Sequence, residues 1–300
     1  MNLPESKRKK YYSPSGSNLP FPIIFKKDGT LKKFSAIFNG HSVVIKNPED
    51  MKTLISMGNF GKSSLSRNYP QTLGSQKTKF LRQRQFANKQ TCINKINNKV
   101  TLHKVIVIPD SDSDNDDYFN NLQPKYEADY LPISETVMLG YEEAFFLENV
   151  VKCIEVSYKD NKLTSEELWN LFLKVDPYFI QNYVVYYFYR SKNWVVKPGI
   201  KFGGDFIIYQ EGPAFYHATY IVIIQTMSDE KHSQSLKDGF SSTTSLLGLN
   251  RLCETAGKGL LFCNITWPEA SEISYTDLSN IKINEVFVKR WNYSQENIKE

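Results

Sequence analysis

The sequence predicts an α+β protein in which a helical region is followed by a small mixed α/β domain. Apolar residues recur at helical spacing in three stretches between residues 131 and 194. After Trp194 the pattern changes to short runs of β-branched and aromatic residues, separated by glycine-containing turns. Helices in one part of a chain and strands in another are typical of α+β folds.

Three helices are predicted in the helical region. The first covers the apolar periodicity of residues 139–154. The second begins after Thr164, whose hydroxyl suits an N-cap, and Glu167 completes a capping box. The third begins at Pro177 and ends near the basic residues 190–192, because proline favours a first turn and cations favour a last turn.

Five strands and one helix are predicted in the mixed domain. The strands are two within 194–210 and one each at 217–226, 258–267 and 283–291, and the helix covers 241–256. Gly257 ends the helix, since glycine commonly follows the last helical turn.

We expect five segments along the chain. They are a disordered basic tail (1–20), a small N-terminal segment (21–69), a linker expected to be disordered (70–130), the helical part of the core (131–194) and the mixed domain (195–300). The linker is rich in Asn, Gln, Lys and Ser, a composition that buries little apolar surface. The N-terminal segment contains a predicted hairpin turn at Asn39-Gly40 and a helix from the N-cap Asn47 to Gly58.

Composition excludes several classes of protein. The net charge of +5 is mildly basic, which is compatible with nucleic-acid binding without establishing it. The four cysteines have no CxxC spacing, so neither a zinc site nor a disulfide framework is expected. The start has no apolar signal and the longest apolar runs have about six residues, against the ~20 that span a bilayer. We therefore expect an intracellular protein without a membrane span.

No metal or cofactor is expected. Metal-dependent nucleases need clustered carboxylates, whereas Asp205 and Glu211 are isolated and the acids of 109–112 lie in a low-complexity stretch. The sequence has no GxxxxGK[ST] loop, and the glycines of 202–206 lack the GxGxxG spacing of a dinucleotide site.

Tyr209, His217 and Lys258 suggest metal-free acid–base chemistry. A tight turn at 210–214 would bring His217 back towards Tyr209, and the glycines on both sides of Lys258 would leave it uncrowded. RNA can be cleaved by its own 2′-OH, given a base, an acid and a cation for the charged phosphorane. On spacing alone, however, a histidine among aromatic residues is more often a core residue, and this alternative stays open.

Several stretches resemble the tRNA-splicing endonuclease family. Residues 186–224, YYFYRSKNWVVKPGIKFGGDFIIYQEGPAFYHATYIVII, are similar to the signature of the subunit that cuts the 5′ splice site. The sequence KGLLFCNITWP, beginning at Lys258, resembles the strand of the catalytic lysine. Further similarity lies at 19–23, 47–67, 138–148 and 167–172, so that only the linker shows none.

The resemblance implies a nuclease domain of the tRNA-intron endonuclease (restriction-endonuclease-like) type. In that family the matching residues make Tyr209 the general base, His217 the general acid and Lys258 the cation at the transition state. A neutral tyrosine is a poor base unless its pKa is lowered, so the reverse assignment with His217 as base also stays open.

The resemblance also implies substrate and partner contacts. Arg251 and Trp291 match a pair that clamps a bulged base by cation–π stacking, in the site of a partner nuclease subunit. Trp291 has the alternative of being an edge-strand aromatic residue. The implied assembly is a heterotetramer of two catalytic and two structural subunits, in which the C-terminal strand 284–291 pairs with a partner's edge.

A separate hypothesis concerns the apolar run Val105, Ile106, Val107 and Ile108. It precedes an acidic, serine-containing stretch, a combination that suits β-augmentation by a ubiquitin-like modifier, and Ser111 and Ser113 would suit an acid-directed kinase. The alternative is an ordinary linker with an apolar run.

The expected function is therefore metal-independent RNA cleavage at the 5′ exon–intron junction of pre-tRNA, leaving a 2′,3′-cyclic phosphate and a 5′-OH. A non-catalytic structural subunit of the same assembly and an unrelated RNA-binding module are the alternatives. The basic residues 6–10 (SKRKK) suggest a nuclear protein. The activity of the isolated chain stays open, because the family builds its sites across subunits.

Overall fold

The structure is a computed structural model of the 300-residue chain. It describes residues 6–9, 19–64, 101–105, 125–129, 135–227, 243–268, 273–278 and 280–288, with 101–105 and 125–129 described as backbone alone. The chain forms two compact units, residues 1–70 with 136–300, and residues 71–135.

The larger unit begins with strands β1 (Phe34–Phe38) and β2 (Val43–Ile45), helix α1 (Pro48–Ser56) and the short strand β3 (Lys62–Ser63). The predicted hairpin turn is confirmed: the Asn39 side-chain oxygen accepts the backbone N–H groups of His41 and Ser42. The predicted helix is confirmed as well, since the Asn47 side chain caps α1 by accepting the N–H of Glu49.

The smaller unit contains β4 (Thr101–Val105) and β5 (Lys125–Asp129), which pair as an antiparallel ladder. Both strands lie within residues 70–130, which the composition predicted to be a disordered linker.

The larger unit continues with β6 (Val137–Leu139), helix α2 (Tyr141–Phe145) extended by a π-helical turn (Phe146–Val150), strands β7 (Ile154–Tyr158) and β8 (Asn161–Lys162), and helices α3 (Ser165–Val175) and α4 (Phe179–Ser191). The helix predicted over 139–154 is wrong at both ends, because Leu139 lies in β6 and Ile154 in β7. The other two predicted helices are confirmed, with Thr164 and Glu167 forming the capping box of α3.

The helical character predicted for residues 131–194 is not confirmed, because β6, β7 and β8 lie within them and complete a six-stranded sheet in the order β3-β6-β2-β1-β7-β8. Strand β7 pairs in parallel with β1 and β6 pairs with β2, so residues distant in sequence supply their hydrogen bonds. Such pairing overrides local helical spacing. Both halves of the larger unit are therefore mixed α/β.

The main core is rich in aromatic side chains from α2, α3 and α4. The Phe145 ring contacts those of Trp169 and Tyr183, with centroids 5.1 and 4.9 Å away. Offset and edge contacts at such distances stabilise a core beyond the area that they bury. Among the described residues, no helix combines the length and apolar character needed to cross a membrane.

The mixed domain contains β9 (Val195–Pro198), a 3₁₀ turn (Ile200–Phe202), β10 (Phe206–Tyr209), β11 (Tyr220–Met227), helix α5 (Thr243–Thr255), β12 (Gly259–Thr266) and β13 (Lys282–Val288). The five predicted strands and the helix are thus present, in the sheet order β13-β12-β11-β10-β9. Strands β11 and β12 are parallel, with α5 in the crossover between them, and the other neighbours are antiparallel.

The two faces of this sheet are covered differently. Side chains such as Ile208, Val222 and Cys263 join the main core. Their neighbours on the opposite face, such as Ile207 and Ile221, form a second, smaller core with Leu249 and Cys253 of α5. The alternation places every second residue of β10, β11 and β12 beneath α5.

Buried charges attach residues 58–61 to α4 and to the mixed domain. The guanidinium of Arg190 is 2% exposed, donates to the Gly58 carbonyl at 2.9 Å and lies over the Phe60 ring. The Lys197 amine donates to the Gly61 carbonyl at 2.8 Å and to Glu143 at 3.1 Å. Burial of an unpaired charge is costly, so this segment is an integral part of the core.

Candidate active site

Tyr209 and Lys258 lie at one end and on one face of the mixed sheet. Tyr209 is the last residue of β10 and packs against the smaller core beneath α5. Lys258 directly precedes β12, and Leu260, two residues later, belongs to the same core. Because alternate residues of a strand share a face, Lys258 is on the face of Tyr209.

The strand register brings the two residues level with one another. Thr219 donates its N–H to the Ile208 carbonyl at 2.9 Å and accepts the N–H of Gly259, also at 2.9 Å. Thr219 thus lies between the end of β10 and the start of β12. Neighbouring strands are about 4.8 Å apart, which places Tyr209 and Lys258 on strands separated by about 10 Å.

His217 lies in the turn that joins β10 to β11, at this same end of the sheet. It is exposed, and it stands two residues before Thr219 in sequence. The turn is held by N–H groups of Phe215 and Tyr216, which both donate to the Gly212 carbonyl. The predicted reversal of the chain is therefore present, and the three candidate catalytic residues come from neighbouring segments.

The Lys258 amine is partly buried and has two contacts. It donates to the Ala256 carbonyl at 3.0 Å and lies over the Phe202 ring, 4.5 Å from its centroid. Cation–π contact with Phe202 holds the charge beside the smaller core, since the ring itself packs there.

The two glycines beside Lys258 have different roles, which corrects the expectation that both leave it uncrowded. Gly257 has φ +64° and open space around it, as a helix C-terminus requires. A side chain at Gly259 would instead meet the rings of Phe287 and Tyr220, at 2.7 and 2.8 Å. Gly259 is therefore needed for close packing within the sheet.

Comparison with known proteins identifies the domain that carries these residues. Residues 179–275 match the family described as tRNA intron endonuclease, catalytic C-terminal domain. Residues 179–275 are thus similar to the catalytic domain of that family. The matched range covers β9 to β12 with Tyr209, His217 and Lys258.

Relatives extend the similarity to named proteins. The chain is 40% identical over 168 residues to the tRNA-splicing endonuclease subunit Sen2 of Gallus gallus, covering 55% of this chain and 36% of the relative. It is 32% identical over 155 residues to the probable subunit Sen2 of Oryza sativa, covering 51% and 52%. It is 35% identical over 115 residues to the subunit SEN2 of Saccharomyces cerevisiae, covering 38% and 29%. The chain thus spans between about three tenths and about half of the length of these relatives.

Burial raises the pKa of Tyr209 in the endonuclease domain. The ring lies against the smaller core, where the phenolate would lose hydration. The hydroxyl of Tyr209 therefore keeps its proton at neutral pH.

Arg251 lies on α5 and is exposed. It is on the side of the helix opposite the buried residues Leu249 and Cys253. Trp291, its predicted clamp partner, lies outside the described residues. Of the predicted modifier-binding run, Val105 is the last residue of β4, while Ile106, Val107 and Ile108 also lie outside them.

Asp205 has a structural contact at the other end of β10, where its carboxylate accepts the N–H of Ile224 at 2.8 Å. In the part of the chain that the structure describes, no three His, Cys, Asp or Glu side chains are grouped as they would be around a metal ion.

Sequence reasoning missed residues 6–9, which lie against the turn that contains His217. Lys9 donates its N–H to the Phe215 carbonyl at 2.8 Å, and the Lys7 carbonyl accepts the N–H of His217 at 3.0 Å. Arg8 and Tyr216 form the intervening antiparallel bridge. A short basic sequence carries no signal for such pairing, because its partner lies about 200 residues away.

Proposed function

We propose that this chain is the catalytic subunit that cuts pre-tRNA at the 5′ exon–intron junction. The observation that carries the proposal is the placement of Tyr209 and Lys258 at one end and one face of the endonuclease sheet, with His217 in the turn between them. The relatives named as tRNA-splicing endonuclease subunits support the choice of substrate. The restriction-endonuclease-like classification of the domain belongs to the same proposal.

The burial of Tyr209 favours His217 as the general base. A general base must have lost its own proton before it can accept one from the 2′-OH. Burial makes that loss harder for Tyr209, because it raises the pKa of the hydroxyl. An approaching phosphate would raise the pKa further, because it adds negative charge. We therefore assign the proton-donating role to Tyr209, the reverse of the assignment that the family resemblance implies.

The proposed reaction proceeds in one displacement. The His217 imidazole accepts the proton of the 2′-OH, and the 2′-oxygen attacks the adjacent phosphorus. The bond from phosphorus to the 5′-oxygen breaks as Tyr209 donates its proton to that oxygen. Lys258 stabilises the extra negative charge of the phosphorane. The products are a 2′,3′-cyclic phosphate and a 5′-OH, and the imidazolium returns the proton to the phenolate through solvent.

Assembly with other subunits is part of the proposal. Strand β13 pairs with β12 along one edge, and its residue Val286 is 46% exposed. An apolar edge strand favours pairing with another chain. The proposed assembly contains a second catalytic subunit and two structural subunits, and its mass in solution, measured with the copurified partners, tests this composition.

The decisive experiment compares His217→Ala with the native chain in the reconstituted assembly, using an intron-containing pre-tRNA. We expect the 5′ cut to slow by at least about a hundredfold, since general acid–base groups contribute about 10²–10⁴. The cut at the 3′ junction should persist, because it would belong to the second catalytic subunit. Both cuts should persist in a chelator.

His41→Ala is the matched control, since His41 is exposed in the turn between β1 and β2. It should cut both junctions at the native rate. A His217→Ala assembly of native mass that still cuts the 5′ junction normally would refute the proposed site.

A further inference from the structure

The basic segment Ser6–Lys9 lies beside the catalytic turn as a short added strand. It is fixed at both ends: the Ser6 and Thr219 hydroxyls are 2.8 Å apart, and the Lys9 amine donates to the Pro213 carbonyl at 2.5 Å. The backbone hydrogen bonds of Lys7 and Lys9 add to these contacts. The segment is thus held by four contacts to the turn that contains His217.

This pairing places a lysine next to the proposed base. The Lys7 carbonyl accepts the N–H of His217, and residues paired in this way have Cα atoms about 5.5 Å apart. Lys7 is exposed, and a lysine side chain extends about 6 Å from its Cα. Its amine can therefore reach a phosphate bound between His217 and Lys258.

The remaining cations of the segment differ in role. Lys9 is turned onto the Pro213 carbonyl and fixes the strand, so its charge is committed to the protein. Arg8 is exposed and precedes it. Alternation along a strand places Lys7 on the side of its paired residue His217 and Arg8 on the opposite side.

RNA supplies the ligand that such a site fits. A phosphate backbone attracts exposed lysines and arginines, and backbone contacts fix the register of the nucleic acid on a protein. The register matters at this site, because the scissile phosphate must lie between His217 and Lys258.

We propose that Lys7, held in place by the pairing of residues 6–9 with the turn that contains His217, binds an RNA phosphate adjacent to the scissile bond. This inference rests on the proposed function. It makes Lys7 a positioning residue: it sets the register of the substrate and takes no part in proton transfer.

The test measures binding of an intron-containing pre-tRNA whose 5′ junction carries a 2′-deoxy nucleotide. Without the 2′-OH the RNA cannot be cleaved there, so affinity is separated from chemistry. Lys7→Ala in the reconstituted assembly should weaken binding by roughly threefold to tenfold. The slope of log affinity against log salt should fall by about 0.7, the value for one lost single-strand phosphate contact.

Two variants separate charge from structure. Lys7→Arg keeps the charge and should restore both the affinity and the salt slope. If only the backbone of residue 7 mattered, neither Lys7→Ala nor Lys7→Arg would change them. Lys27→Ala removes one exposed positive charge elsewhere and should match the native chain.

Unchanged affinity and salt slope in Lys7→Ala would overturn the inference. Faster cleavage of the normal pre-tRNA by Lys7→Ala would also overturn it, because the segment would then be covering the site. A native assembly that fails to cut normal pre-tRNA refutes the proposed function instead, while one that cuts normally leaves only Lys7 in question.

Discussion

Tyr209 offers the sharpest test of mechanism at the scale of single residues. Because burial raises its pKa, the hydroxyl stays protonated well beyond neutral pH. If Tyr209 is the proton donor, Tyr209→Phe should cut a substrate with sulfur in place of the bridging 5′-oxygen at close to the native rate, because a thiolate leaves without a proton. If Tyr209 is instead the base, the variant should stay slow on this substrate as well.

Tyr209→Phe should lower the rate of the 5′ cut by about 10²–10⁴. Native binding of the 2′-deoxy substrate by this variant would show that the loss is chemical. No recovery of Tyr209→Phe on the 5′-thio substrate would return the base role to Tyr209.

Glu142 predicts a pH dependence of stability. Burial, with the charges of Glu143 and Asp176, raises its pKa from 4.5 to about 7. The folded state therefore binds more protons than the unfolded state between these values, and the free energy of unfolding falls as pH rises from 4.5 to 7. The loss is complete above pH 7 and amounts to at most roughly 3 kcal/mol.

Glu142→Gln should remove this loss, so the variant should be more stable than the native chain at pH 8 and equal to it at pH 4. Urea unfolding at both values measures the difference. Glu166→Gln is the matched control, because Glu166 occupies the same second position of α3 but is exposed. Equal stability of Glu142→Gln and the native chain at pH 8 would contradict the assignment.

At the scale of elements, the turn between β10 and β11 depends on Gly212. Its φ of +122° is a conformation that glycine adopts readily and other residues rarely adopt. A side chain there would also collide with the Asn59 amide. Gly212→Ala should therefore displace the turn that carries His217. We expect a cost of about 1–3 kcal/mol, seen as a slower 5′ cut and a lower melting temperature.

Asn59→Gly tests the origin of that effect. Glycine tolerates the φ of +56° at this position and removes the obstructing side chain, so the double variant should recover part of the lost rate. Gly248→Ala, in open space on α5, should have neither effect. No recovery in the double variant would mean that backbone strain alone causes the loss.

The sequence predicted elements well where the signal is local and poorly where partners are distant. The caps at Asn47 and Thr164 are local, and both helices form as predicted. The apolar spacing of 139–154 suggested one helix. Its two ends instead form strands β6 and β7, because they pair with strands that are remote in sequence.

The candidate site shows the same division. Tyr209, His217 and Lys258 could be selected from the sequence because glycines and strand patterns surround them. The contacts of Arg190 and Lys197 with residues 58–61 could not be predicted. Nothing in the sequence around these two cations shows that they contact a segment more than 100 residues earlier.

At the scale of the whole molecule, residues 65–134 interrupt a β-hairpin. Strands β3 and β6 pair antiparallel, and Ser64 and Thr136 close the ladder by exchanging hydrogen bonds of 2.8 and 3.1 Å. The chain therefore leaves and re-enters the larger unit at adjacent points.

Replacement of residues 66–134 by a short Gly-Ser linker should leave the larger unit folded. Its melting temperature should stay within a few degrees of that of the full chain, since the ends of the excision already meet. A chain that starts at residue 131 should not fold alone, because β6 and β7 lose their partners β2 and β1. Calorimetry of both chains measures this, and a cooperative transition in the shorter one would contradict it.

The pairing of Ser64 with Thr136 also affects how the sequence between them can evolve. The entropic cost of joining two fixed points through an intervening segment grows only with the logarithm of its length, by about 0.6 kcal/mol per doubling. Quadrupling the inserted segment would thus cost about 1.2 kcal/mol. Selection can lengthen, shorten or recode this segment, while the end of the mixed sheet that holds Tyr209 and Lys258 stays unchanged.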